Sequence, residues 1–171
     1  ASVLDRSPTQ RLEVQTLPPV EAVRSIAPVK LLQPEPGVWV FDFGQNFTGF
    51  VEMDLAKLAL KPGAAVWLRY AEWANAKGQV GMKSGGGFAT KVNQVDTYIA
   101  GAENAKTWAP SFTWHGFRYV EVTGLPRKPE LDLLTGFLTR SSVSTVGRFE
   151  SSDPHLNRVH QTALWTYESN L

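Results

Sequence analysis

The chain has 171 residues, enough for one ordinary domain with a core of its own. Seventeen Lys and Arg against sixteen Asp and Glu leave a net charge of +1, which supplies no concentrated basic patch for nucleic acid or an anionic membrane. Cysteine is absent, which excludes a disulfide framework and a thiolate zinc site, and no apolar run reaches the length of a membrane span. The opening ASVLDRSPTQ has neither the basic start nor the apolar centre of a secretion signal. Six Trp, nine Phe and four Tyr are generous for this size. Aromatic side chains fill sandwich cores and also build sugar-binding platforms, and composition does not separate the two uses.

In chain order, residues 1–20 hold few periodic positions and close on Pro18 and Pro19, an opening segment or linker with room for one short strand at 12–16. Alternation begins near Glu21 and runs through Val29, Leu31 and Gln33 to a turn at 34–37, so two strands flank that turn. The stretch 38–55, VWVFDFGQNFTGFVEMDL, reads as a strand, a tight irregular corner and a second strand. Trp39, Phe41 and Phe43 point to one face, and Val38, Val40 and Asp42 to the other. Gly44 and Gly49 license positive φ at the corner, where Gln45 and Asn46 can bond backbone groups that leave the sheet.

Residues 56–60 can form a helical turn, and Lys61-Pro62-Gly63 closes a connection into a strand at 65–73, with Val66, Leu68 and Tyr70 on one side. From 74 to 93 the periodicity is lost and five glycines accumulate, which predicts a mobile surface loop, or a loop reaching toward a neighbouring domain or sugar. It is no phosphate loop, because GxxxxGK[ST] does not occur. A strand at 94–100 places Val95, Thr97 and Ile99 on one face, and 108–115 leads into another at 117–123. Residues 131–139 and 145–150 supply two more candidates. Seven to nine short strands with no helix–strand alternation predict an all-β antiparallel β-sandwich over 21–150. The segment 151–171 changes period: Ser152 or Asp153 can cap, Pro154 suits the first turn, and Leu156, Val159, His160, Ala163, Leu164 and Tyr167 share a helical face. This helix runs to the chain end without a stop signal, and it either lies back on a sheet or packs on another body.

Candidate chemistry is sparse. Asp42, Glu52, Asp54, Glu72, Asp96, Glu121 and Asp132 fall mostly within predicted strands and form no close pair in a loop. They read as structural groups, with Asp42 and Glu72 the leading anchors. His155 and His160 are five apart and face different ways on a helix, His115 has no evident ligand partner, and no DxDxDG-like loop occurs, so no metal is expected. The serines lack a nucleophile elbow. The candidate carbohydrate contact is Trp114, His115 and Arg118: an indole stacks on the apolar face of a sugar while imidazole and guanidinium bond its hydroxyls. Against it stands core and inter-domain packing of the alternating aromatics in FTWHGFRYVEV, with Arg118 paired to Glu121 or Glu52.

DFGQNFTGFVEMDL, with RLEVQTLPPV before it and LRYAE, DTYIAG, FTWHGFRYVEVTG and FESSDPHLNRVH after it, resembles in the same order segments of bacterial α-L-rhamnosidases of glycoside hydrolase family 78. The resemblance covers nearly the whole chain. It implies a β-sandwich of concanavalin-like or jelly-roll type just before an (α/α)6 catalytic barrel, with 151–171 as the first helix of that barrel. It further implies that the parent removes terminal α-L-rhamnose by water-mediated inversion without a cofactor. Inversion needs two carboxyl groups some ~6.5–9.5 Å apart, and the family's pair lies in the downstream barrel. No position here matches their motifs, so no catalytic residue is expected in this chain and the chain alone should be inactive. The implied partners are the downstream catalytic domain of the same polypeptide and a rhamnosylated glycan. The competing expectations are a carbohydrate-binding module, and a partner-docking domain that self-associates through its C-terminal helix.

Overall fold

The computed structural model describes residues 13–81, 93–103 and 105–171. Among them, eight strands precede one helix: β1 (Val20–Ile26), β2 (Lys30–Glu35), β3 (Val38–Asp54), β4 (Ala65–Ala71), β5 (Val95–Ile99), β6 (Thr107–Trp108), β7 (His115–Thr123), β8 (Leu134–Ser141) and α1 (Pro154–Glu168). The strands form one antiparallel sheet in the order β1-β8-β3-β7-β4-β5, with β2 and β6 also bonded to β3. Curled into a sandwich-like half-barrel, this sheet is the expected all-β, antiparallel architecture with a C-terminal helix.

The stretch read as two strands and a corner is one bent strand of 17 residues. Its first half pairs with β2 (Leu31 opposite Phe41), and its second half with β8 (Gly136 opposite Val51). Along the other edge runs β7, with Val120 opposite Phe41 and Phe117 opposite Phe47. Phe43, Gly44, Gln45 and Asn46 therefore stand against Arg118 alone. Such an excess of residues on one strand bends it and strengthens its twist. Gly44 takes the sharpest part of the bend at φ +76°, a conformation that a Cβ would strain, and Val29 closes in to 3.2 Å of where that Cβ would lie.

The bend lets one strand contribute to the core along its whole length. Trp39, Phe41, Phe43, Phe47, Val51 and Met53 all face inward, as the alternation predicts for the first three. Val66, Leu68 and Tyr70 of β4 and Leu134 and Leu138 of β8 complete the layer. Phe43 meets Phe47 and Phe117 edge to face, with centroids 5.8 and 5.7 Å apart, and Phe47 and Phe117 lie tilted at 4.5 Å. Removing each such ring from water is worth about 2–3 kcal/mol. In β7 both Phe117 and Val120 face inward, because the side-chain parity switches where the extra β3 residues stand. A smaller cluster of Val40, Ala71 and Val80 sits on the other face.

Several local expectations change. Residues 13–16 and 145–150 form no strand, and Val146 is 97% exposed. β4 stops at Ala71, and β5 turns its Val95 and Ile99 face outward while Tyr98 is buried. Of the loop expected at 74–93, Ala74 and Val80 bridge a tight turn organised by Asn75, whose Oδ1 accepts from Lys77 N and Gln79 N; residues 82–92 lie outside the described residues. The helix begins as predicted, with Asp153 capping His155 N at 2.8 Å. It ends at Glu168 rather than at the chain end, with Ser169 N–H bonded back to Trp165 O.

Candidate functional site

The three residues proposed for a sugar contact lie side by side in sequence but are committed to different neighbours. Trp114 is 53% exposed, just ahead of β7. His115 lies flat against Tyr70 at 4.2 Å between centroids, and its Nε2 is 3.1 Å from Asp96 Oδ2. Burial, reinforced by the Asp96 carboxylate, pushes the Tyr70 phenol far above its ordinary pKa. Tyr70 and Asp96 together fix the orientation of the His115 ring.

Arg118 sits opposite the bend and donates two parallel bonds to Asp42, Nε to Oδ1 at 2.8 Å and Nη2 to Oδ2 at 2.9 Å. Asp42 Oδ1 also accepts from Gly44 N at 2.7 Å, so one carboxylate ties the two strands together and holds the corner. The Arg118 bonds, helped by Gly44 N–H, keep the Asp42 carboxyl below its ordinary value against the opposing effect of burial. The expected partners Glu121 and Glu52 are thus replaced by Asp42, and Glu121 instead pairs with Arg69 at 2.7 Å. Asp42 is the structural anchor the sequence suggested. Glu72, the other, accepts from Asn46 Nδ2 at 3.4 Å across the corner.

That contact borders a cleft of about 320 Å³ between the β3 corner and the end of α1. Gln45, Asn46 and Glu72 form its sheet side, and Thr166, Trp165 and Asn170 its helix side. The helix is held there by several ties. Trp165 packs on the main core beneath the Arg24 guanidinium, 4.7 Å away, and Arg24 pairs with Glu168 at 2.8 Å. Thr48 Oγ1 donates to Ser169 O at 2.9 Å, and Ser141 Oγ to Leu171 O at 2.7 Å. The opposite face stays open, with Leu156, Val159, Leu164 and Tyr167 exposed by 39–59%. The apolar stripe is therefore not what seats the helix: Trp165, counted only as an aromatic near an element end, does.

Among the described residues Glu72 is the one carboxylate that lines this cleft, so they present no facing pair for acid and base there. A second groove holds Glu35 and Glu121, each already engaged, by Gln79 and Arg69. Among the described residues no three His, Asp or Glu converge as a metal would require. Sequence reasoning placed Gln45 and Asn46 at a corner but gave no sign of the cleft, because its far wall comes from a helix more than a hundred residues away.

A family profile for the bacterial alpha-L-rhamnosidase concanavalin-like domain matches residues 32–140. An alpha-L-rhamnosidase of Streptomyces avermitilis is 34% identical over 166 residues, covering 97% of this chain and 15% of the relative. One from Formosa agariphila is 28% identical over 163 residues, covering 95% and 17%. Among solved structures, an alpha-L-rhamnosidase from Dictyoglumus thermophilum superimposes with a TM-score of 0.82 at 34% identity, over 92% of this chain and 17% of that one. The Streptomyces avermitilis alpha-L-rhamnosidase complexed with L-rhamnose gives 0.79 at 35% identity, over 92% and 15%. The chain thus spans roughly a sixth of the length of the relatives it matches.

Proposed function

The chain belongs to the bacterial α-L-rhamnosidase family as its concanavalin-like domain, and from that premise we propose that it is a non-catalytic brace for a downstream α-helical catalytic domain. Residues 21–150 are the brace, and 151–171 hand over to the catalytic domain, whose own carboxylates perform inverting hydrolysis of terminal α-L-rhamnosides. The observation that carries this reading is the lopsided helix. Its last turn is fastened to the sandwich through Trp165, Glu168 and Ser169, while Leu156, Val159 and Tyr167 remain open. Exposed apolar stripes of this kind mark a face that is covered by a partner.

Two measurements test it. The 171-residue chain should not hydrolyse an aryl α-L-rhamnoside; turnover abolished by substituting one of its own carboxylates would overturn the reading. Supplied in trans, the chain should raise the melting temperature of the separately produced catalytic domain, and Val159→Glu with Tyr167→Glu should remove that effect. Without that domain the same face drives self-association, visible by sedimentation and suppressed by the same two substitutions.

A second reading, sugar stacking at Trp114, is favoured by the exposure of that indole beside the fixed His115. Loss of a rhamnose-dependent fluorescence change in Trp114→Ala would support it. Arg118 takes a secondary part there, since both of its bonds serve Asp42.

A further inference from the structure

The cleft between the β3 corner and the end of α1 has a composition that bracing does not require. Three side-chain amides, those of Gln45, Asn46 and Asn170, line it with the Glu72 carboxylate and the threonines of α1. Each amide uses its nitrogen within the protein: Gln45 Nε2 donates to Asn46 O at 2.8 Å, Asn46 Nδ2 to Glu72 Oε1, and Asn170 Nδ2 to Thr166 O at 2.7 Å. The three amide oxygens accept no hydrogen bond among the described residues. On residues that line one cleft, they form an acceptor set for a ligand rich in hydroxyl donors. Trp165 and Phe47 add apolar wall.

Among the described residues no Lys, Arg or His lines the cleft, and none of them there compensates an anion. A single carboxylate falls short of the oxygen cage that a calcium ion takes. At 320 Å³ it lies at the small end of the range for ligand pockets, about 300–1,000 Å³, the size for one sugar residue. We propose that this cleft binds a neutral pyranose, its hydroxyls donating to the amide oxygens of Gln45, Asn46 and Asn170, its less polar face toward Trp165. Trp114 does not line the cleft, so this is a different place from the stacking site considered above.

The test titrates L-rhamnose, D-galactose and sodium glucuronate into the full chain and follows indole emission and amide NMR shifts. Saturable binding of at least one neutral sugar, with none of glucuronate, is expected. Asn46→Ala removes one neutral hydrogen bond at an exposed position and should weaken binding about 3- to 10-fold. Val146→Ala, at an exposed residue that does not line the cleft, should leave it unchanged. Asn170→Ala repeats the test from the helix side should Asn46→Ala not fold. Absence of saturable binding by either neutral sugar overturns the proposal, as does binding lost in Trp114→Ala but intact in Asn46→Ala. The proposal does not rest on the bracing role, whose trans-stabilisation assay reads separately.

Discussion

Replacing Asp42 should expose how much of the fold hangs on its corner. Asp42 is only 7% exposed and accepts three hydrogen bonds, two from Arg118 and one from Gly44 N. In Asp42→Ala all three are lost and the guanidinium keeps its charge without a counterion. Breaking a fully buried pair in this way costs about 3–5 kcal/mol. Arg118 is 38% exposed, so water recovers part of that penalty, and the expected loss is about 2–3 kcal/mol. For a domain of this size it lowers the melting temperature by about 5–10 °C. Asp42→Asn retains an oxygen for Gly44 N and removes the charge, so it should cost less. In a cycle with Arg118→Met, the coupling energy should be about 1–2 kcal/mol.

Arg118 and Gly44 N–H depress the folded-state value of Asp42 below the ordinary 3.8. Its contribution is therefore fully present above the unfolded value and drains away as the pH falls through the lower folded one. The advantage of the wild type over Asp42→Ala, measured by urea denaturation across pH 7 to pH 2, should shrink only below about pH 4. A coupling energy indistinguishable from zero, or an advantage undiminished at pH 2, would refute the reasoning.

Gly49→Ala places a Cβ 1.8 Å from Phe137 O, where β3 pairs with β8, so one strand must move away. A loss of about 3 kcal/mol or more is expected in urea denaturation, and a cost under 1 kcal/mol would mean that the β3–β8 spacing is not fixed. Trp165→Ala removes the helix's main hold on the core together with its contact to Arg24. Stability should fall by about 2 kcal/mol, and α1 should become the first segment cut by protease while the strands stay protected. Equal protection of helix and sheet in that variant would show that Glu168 and Ser169 suffice to seat it.

The alternation in 38–55, the glycine at the bend and the capped helix start at Asp153 were legible in the sequence because each depends on residues close together in the chain. Trp39, Phe41 and Phe43 face one way whatever they pack against, and the Asp153 cap with Pro154 in the first turn is a local start signal for a helix. Of the site, the sequence offered Trp114, His115 and Arg118 as a sugar contact, singled out Asp42 and Glu72 as anchors, and placed Gln45 and Asn46 at the corner.

Tertiary structure alone decided that 145–150 remains unpaired, that Arg118 answers to Asp42 rather than Glu121, and that Trp165 rather than the apolar stripe seats the helix. Strand pairing and ion pairing are choices among partners at comparable distances in a flexible chain, and they become definite only once the bend in β3 fixes which residues meet. The amide-lined cleft belongs wholly to this second category: its two walls are remote in the chain, and they meet only when the helix end closes on the corner.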